Sequence, residues 1–252
     1  MRQGPTPTGI PEPTRDLARL RQVFYVLPET PCPYIPGMRE RKVLTEIDGA
    51  DPGAGYTLLS RAGFRRSHQF AYRPACEACT ACVPVRVAAR DFVISRSLKR
   101  VWRANADLEP REVPARATRE QYALFARYIT SRHGGGEMAG MTYGDYRGMV
   151  EHGRVDTRMA EFRAADGRLV AACLVDWLGD GPSAVYSFFE PDLSRRSLGT
   201  HMVLWMIAAA RARGLPHVYL GYWIADLPKM AYKARFRPLE ALGPNGWHVL
   251  AG

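Results

Sequence analysis

Residues 183–214, SAVYSFFEPDLSRRSLGTHMVLWMIAAARARG, decide how the rest of the chain is read. The stretch from Ser183 to Phe189 is rich in Val, Tyr and Phe, the residues of a pleated strand, and Pro191 fixes the bend after it. From Leu198 apolar residues gather into a long helix, with Gly199 in its first turn and Gly214 at its end. Upstream, MAEFRA (159–164) and DGRLVAACLVDWLG (166–179) are two further strands, joined by turns at Asp166-Gly167 and at Gly179–Pro182. Downstream, HVYLGYW (217–223) reads as a strand, DLPKMAYKARFR (226–237) as a helix and WHVL (247–250) as a last short strand.

Hairpin, central strand, glycine-containing loop, long helix, strand, helix, strand: this is the element order of an acetyltransferase-type (GNAT) domain. Such folds seat an acyl donor where two neighbouring strands part after the central one. The usual loop there, R/Q-x-x-G-x-G/A, grips a pyrophosphate with free amides at a helix N-terminus. Arg196-Ser197-Leu198-Gly199-Thr200-His201 keeps the first half but puts His201 where a small residue belongs. A coenzyme A pyrophosphate is therefore expected to meet a bulky side chain.

Ahead of this lies a different texture. Prolines at 5, 7, 11 and 13 make residues 1–18 a flexible leader. Arg21–Val26 is an expected strand, closed by a turn in which Pro28, Pro31, Pro33 and Pro36 forbid a helix. LTEIDG (44–49), Gly63–Tyr72 and the alternating Val83, Val85 and Val87 are further strands. Ser95 caps an expected helix over 95–108, and Thr118 with Gln121 forms a capping box opening a second helix that Gly134 stops. TYGDYRGMVEHG (142–153) adds a short third. The fold class is thus α+β, with a small cysteine-containing N-terminal α+β domain over 19–115 and a GNAT-like C-terminal domain over 116–252.

At 46% hydrophobic and 24% charged residues the chain can bury a core, which excludes a wholly disordered protein. No stretch is long and apolar enough for a membrane helix, and the N-terminus has no apolar signal region. Five cysteines without such a signal argue for a reduced cytoplasmic setting over a disulfide scaffold. Net charge is +10, from 35 Lys/Arg against 25 Asp/Glu. Residues 61–116 hold twelve of the cations and only five of the acids, a concentration that suits nucleic acid. Within it Arg96, Lys99, Arg100 and Arg103 fall at i, i+3, i+4 and i+7, one basic stripe on a helix. Leu98, Val101 and Trp102 face elsewhere and are expected to hold that helix to the body.

Cys76-Glu77-Ala78-Cys79-Thr80-Ala81-Cys82 is the most unusual local pattern. Three sulfurs at this spacing suit one zinc ion or iron–sulfur cluster, and Cys32, in the rigid CPYIPG turn, is a candidate fourth ligand. A reduced, packed thiol loop is the competing reading. Cys173, inside an apolar strand, reads as a small buried hydrophobe.

CPYIPG (32–37), LSRAGFRRSHQFAYRPACEACTACVPVRV (59–87) and FVISRSLKRVWRANADL (92–108) together resemble the bacterial aminoacyl-tRNA–protein transferases. The likeness continues through YSFFEPDLSRRSLGTHM (186–202) and YLGYWIADLPKMAYKARFRPLE (219–240), covering about residues 20–245. Within the family it is nearer the branch that transfers leucine to N-terminal Asp or Glu than the eukaryotic arginyl branch. The resemblance implies Leu-tRNA as donor, a protein with an acidic N-terminal residue as acceptor, and a product marked for N-degron degradation. Arginyl transfer is the near alternative, and oligomeric state is left open.

The chemistry implied is aminolysis of an activated ester, which requires positioning, a proton acceptor and support for an oxyanion, and no cofactor. Glu190, closing the central strand, is the first candidate base; Asp176, Tyr222 and Tyr232 complete the catalytic candidates. The basic stripe with Arg196, Lys229 and Lys233 is assigned to tRNA, although a solvated helix face explains the two lysines equally well. Arg65, Arg66 and Arg73 are candidate receptors for the acceptor carboxylate, with ordinary salt bridging as their competing role. Trp177, Phe188, Phe189, Trp205 and Trp223 allow an apolar leucine pocket or simply pack the core. Two other functions compete: a coenzyme A-dependent N-acetyltransferase, and a metal-ribbon nucleic-acid-binding module, which leaves the second half of the chain unexplained.

Overall fold

The structure, a computed structural model, describes residues 22–133 and 140–251. The proline-rich leader, the start of the strand expected at Arg21 and the stop expected at Gly134 lie outside the described residues.

The N-terminal part is built on a four-stranded antiparallel sheet. Its members are β1 (Tyr25–Val26), β4 (Lys42–Glu46), β5 (Arg65–Ser67) and β6 (Phe70–Pro74), in the order β1-β4-β6-β5. A small ribbon of β2 (Thr30–Pro31) and β3 (Arg39–Glu40) spans the proline-rich turn. The strand expected over Gly63–Tyr72 is divided between β5 and β6, because His68 takes a left-handed turn conformation at φ 56°. Helix α1 (Pro52–Arg61) was not anticipated. Its two glycines disguise it, yet Asp51 caps the Ala54 N–H at 2.9 Å and Pro52 supplies the preset first-turn φ.

The second sheet has eight strands in the order β14-β13-β7-β12-β11-β10-β9-β8. They are β7 (Val83–Ala88), β8 (Glu109–Pro114), β9 (Thr157–Arg163), β10 (Leu169–Leu178), β11 (Gly181–Phe189), β12 (His217–Trp223), β13 (Leu239–Gly243) and β14 (Gly246–Val249). The break expected near residue 115 is not a break in this sheet. β7 pairs with both β12 and β13, and β8 forms the outer edge beside β9. β8 escaped sequence reading because EPREVP carries two prolines and no apolar alternation, which only an edge strand tolerates.

Helices cover both faces. They are α2 (Arg96–Arg103), α3 (Arg119–His133), α4 (Tyr143–Glu151), α5 (Leu198–Ala212) and the single turn α6 (Pro228–Ala231). The capping box opening α3 forms as expected, with Gln121 N–H to Thr118 Oγ1 and Thr118 N–H to Gln121 Oε1, both 3.1 Å. α2 ends at Arg103, five residues short of the expected stop. The expected 226–237 helix breaks after α6 into a 3₁₀ turn, Tyr232–Arg235. Strand β10 shows why the sheet lies in the middle of the molecule. Ala171, Cys173 and Val175 face the core that also holds Met202, Met206 and Ile207 of α5. Ala172 and Leu174 alternate toward the opposite core with Phe125 of α3 and Tyr146 of α4. There Phe125, Tyr146 and Phe188 meet with ring centroids 5.0–6.0 Å apart, each pair adding about 0.5–1.5 kcal/mol beyond its burial.

Side chains from the N-terminal sheet lock into the large one. Arg66 donates from Nε to Asp176 Oδ2 at 2.7 Å and from Nη2 to Oδ1 at 2.8 Å. Thr157 donates to Oδ1 at 2.7 Å, and neither charged side chain of the pair is exposed. The Tyr222 hydroxyl is shared between the Gly63 and Tyr72 carbonyls at 3.1 and 3.0 Å. Asp176 and Tyr222, read from sequence as catalytic, and Arg66, read as acceptor-binding, are therefore consumed by the fold.

Asp176→Asn leaves the Arg66 guanidinium buried without a counter-charge. It is expected to destabilise the protein by about 3–5 kcal/mol, read as a lowered midpoint in urea denaturation at neutral pH.

Candidate active site

β11 and β12 run parallel because α5 is the crossover between them, but they pair only through Ser183 and Tyr219. Beyond that point they part. The opening is filled from below by Arg65, whose Nη2 reaches the Ala184 and Val185 carbonyls at 3.2 and 3.4 Å. Its guanidinium also lies 5.8 Å from the Tyr222 ring centroid. Gly221, at φ +73°, makes this possible, since a Cβ there would run into the guanidinium.

Above the parting, β11 leads into a 3₁₀ turn, Pro191–Arg196, and Ser197 enters α5 in the left-handed conformation at φ 52°. Turn, helix and strands enclose a cavity of about 630 Å³. Its floor is apolar, formed by Cys173, Met202, Met206 and Leu220, and its mouth carries Ser194, Ser197, Arg132, Lys229 and Tyr232. Gly199 and Thr200, in the first turn of α5, line it too. First-turn amides of a helix have no partner within the helix and favour negative charge.

His201 does not obstruct this mouth. Its ring turns to the other side of α5, 5.2 Å from Trp102 and 5.5 Å from Phe162. Burial, then the nearby Arg196 charge, pulls its pKa down to about 4, so it is neutral. The clash with a pyrophosphate expected from sequence is absent.

The other sequence candidates divide sharply. Tyr232 lines the cavity with its edge exposed, and burial of its phenol raises the pKa above the ordinary value, keeping an O–H donor there. Lys229 is exposed at the mouth. Lys233 does not share its face, because the helix breaks between them. Only 6% exposed, Lys233 donates to the Tyr222 carbonyl, and burial together with Arg65 lowers its pKa to about 7. It is withdrawn from any RNA contact. Glu190 sits between two lining residues, but its own carboxylate takes a 2.9 Å hydrogen bond from Arg127 and does not line the cavity. Arg196 is likewise engaged, with Asn105, the Ala104 carbonyl and Asp107. Arg73 bonds the Ala62 carbonyl at 3.0 Å and borders a different cavity. Of the five aromatics considered for a leucine pocket, only Phe189 reaches the lining. Phe188 packs under α3, and Trp205 meets Phe162 edge-on.

Sequence reading overlooked Tyr128, Ser131 and Arg132, which bring α3 to the cavity mouth. Their i, i+3, i+4 spacing, with two polar members on one helical face, was the available signal.

Arg96, Lys99, Arg100 and Arg103 are exposed as expected on α2, and none makes an ion pair among the described residues. Cys32, Cys76, Cys79 and Cys82 come together on a separate cavity of about 680 Å³. Burial and the three neighbouring thiols push the Cys82 thiol up to about 11. Among the described residues no three Cys, His, Asp or Glu side chains are already arranged to hold a metal ion. No helix among the described residues is long and apolar enough to cross a membrane.

Comparison with known proteins agrees with the resemblance seen in the sequence. Residues 30–100 match the family described as Arginine-tRNA-protein transferase, N terminus, and residues 120–243 match Arginine-tRNA-protein transferase, C terminus. The aspartate/glutamate leucyltransferase of Paramagnetospirillum magneticum is 57% identical over 90% of this chain and 93% of its own length. That of Rhodospirillum rubrum is 55% identical over 89% of this chain and 92% of its own. Among solved structures, L-PGS from Bacillus licheniformis aligns over 71% of this chain and 51% of its own, at 12% identity and a TM-score of 0.46. With family matches over both parts and relatives above half identity along most of its length, the chain belongs to the arginine-tRNA-protein transferase family.

Proposed function

We propose that the protein transfers leucine from Leu-tRNA to the N-terminal amine of proteins beginning with Asp or Glu, on a GNAT-like catalytic part. The observation that carries this reading is the cavity at the parting of β11 and β12. Its apolar floor suits a leucyl side chain, and its serine- and cation-bearing mouth suits the ribose and phosphate that follow. The family supports a tRNA donor and a protein acceptor, and the names of the relatives support leucine and an Asp or Glu acceptor. N-degron marking follows from that product.

The reaction needs the acceptor amine in its neutral form, and an α-amino group titrates near 7.7–8.0. The amine attacks the leucyl carbonyl carbon, a C–N bond forms, and the ribose oxygen leaves with a proton that originated on the amine. Tyr232, protonated and on the cavity wall, is suited to donate a hydrogen bond where the oxyanion develops. Glu190, held by Arg127, is poorly placed as a base and better placed to fix the end of β11 against α3. Arg65, whose Nη2 is taken by the Ala184 and Val185 carbonyls, does not line the cavity and is poorly placed to meet an acceptor carboxylate. Removal of the expected clash at His201 makes acetyl-coenzyme A a donor that must be tested alongside.

The four thiols fit a metal by chemistry: soft sulfur donors are the usual ligands of structural zinc and of iron–sulfur clusters. Cys32, Cys76, Cys79 and Cys82 would hold it, and it would brace the loop between β6 and β7 without entering the reaction.

Incubation of an Asp-initiated peptide with Leu-tRNA, Arg-tRNA or acetyl-coenzyme A, followed by mass spectrometry, is expected to add one leucine from the first alone. An acetyl or arginyl adduct with no leucyl product overturns the assignment. Tyr232→Phe is expected to lower kcat by about 10²-fold with KM for Leu-tRNA little changed, the loss typical of one oxyanion donor. Glu190→Gln should fall well short of the 10²–10⁴-fold loss that marks a general base. Protein purified without oxygen should carry zinc or iron by elemental analysis. Ser at any one of Cys32, Cys76, Cys79 or Cys82 should release it, whereas Cys173→Ser should not.

A further inference from the structure

A third cavity, about 540 Å³, lies between α2 and α5 and plays no part in the reaction described above. Phe92, Ile94, Leu204 and Ile207 make it apolar, and Lys99, Arg103 and Arg211 stand around it. Trp102 forms one wall. Sequence reading turned this residue toward the body, yet it is 39% exposed, backed by the His201 ring.

The charge around this groove is uncompensated. The four cations of the α2 stripe make no ion pair among the described residues, and Arg211 bonds only the Phe92 and Arg90 carbonyls. Asp107, four residues beyond Arg103, is paired with Arg196. An open aromatic face among unpaired cations matches single-stranded nucleic acid, in which bases stack while phosphates meet the cations. From Arg96 to Arg103 the stripe spans about 10 Å of helix, the rise of roughly three nucleotides.

Its position relative to the active site fixes the direction of such a strand. The end of α2 is fastened to the turn before α5: Asn105 Nδ2 donates to the Arg196 carbonyl and Arg196 Nε to Asn105 Oδ1, both 2.9 Å. Ser194, on that same turn, and Ser197 beside it border the mouth of the first cavity. A strand whose terminal residue occupies the first cavity therefore crosses the turn and meets Trp102 and Arg103 first, Arg96 last.

We propose that the Trp102 groove binds an unpaired nucleobase of the donor RNA just before its aminoacylated 3′ end, with the α2 stripe holding the adjoining phosphates. This rests on the transferase reading above. The test compares two donors, Leu-tRNA and leucyl-adenosine, which lacks every preceding nucleotide.

Trp102→Ala is expected to raise KM for Leu-tRNA about tenfold, the loss of one base–aromatic stack, with kcat unchanged. The same variant should leave leucyl-adenosine transfer as in the wild type, and Trp102→Phe should keep most of the Leu-tRNA affinity. Equal losses on both donors would make Trp102 a structural residue and overturn the proposal, as would an unchanged KM for Leu-tRNA. A rise confined to KM for the acceptor protein would give the groove to an acidic polypeptide instead. Wild-type enzyme that forms no leucyl product from either donor overturns the transferase reading, and the base site falls with it.

Discussion

The buried pair between Arg66 and Asp176 is the constraint on which the arrangement of the molecule rests. Two opposite charges without solvent exposure are costly to desolvate, and the paired hydrogen bonds, with Thr157 donating a third to Oδ1, offset that cost. Such a pair tolerates one docking of the β5–β6 hairpin against β9 and β10, because any slip strands a charge. The Tyr222 hydroxyl under the Gly63 and Tyr72 carbonyls, and the 2.8 Å bond from Trp247 Nε1 to the Arg61 carbonyl, fasten the same interface at two further points.

That docking delivers Arg65, the neighbouring residue, into the opening between β11 and β12. Parallel strands that part leave carbonyls without ladder partners, and buried carbonyls must be satisfied. Arg65 answers those of Ala184 and Val185 and places a fixed cation at the parting. Lys233 lies close enough for that charge to contribute to its low pKa. The cavity is thus lined by β10–β12, α3, α5 and the α6 turn, while the parting of β11 and β12 is held by a side chain from β5.

α5 separates two surfaces of different character. On one side its first turn opens to the cavity, where amide ends and serines favour polar groups. On the other, His201 is kept neutral by burial beside Trp102 and Phe162, and completes an apolar seam with α2. The turn from Pro191 to Arg196 joins the two, and its bonds to Asn105 and Asp107 explain why Arg196 serves the fold. The exposed cations beyond it, on α2, remain free to face a polyanion.

Periodic pattern and capping chemistry made much of this legible in the sequence alone. The strands over 159–189, the α5 helix, the Thr118–Gln121 box, the basic stripe and the thiol cluster each depend on residues close together in the chain, where local sterics and spacing suffice. The ordered strings around the cysteines and the central strand carried the family. What tertiary structure alone decided depends on partners far away in sequence. Asp176 looked like a catalytic carboxylate until Arg66 was found against it, and Lys229 and Lys233 looked like one solvated face until the helix broke between them. β8 needed β9 beside it to be a strand at all, and β7 lies deep in a sheet whose other strands come from later in the chain. Spacing fixes what a residue can offer within its own element; burial, charge pairing and strand neighbours, set largely by contacts between distant parts of the chain, determine whether that offer reaches a substrate or is spent on the fold.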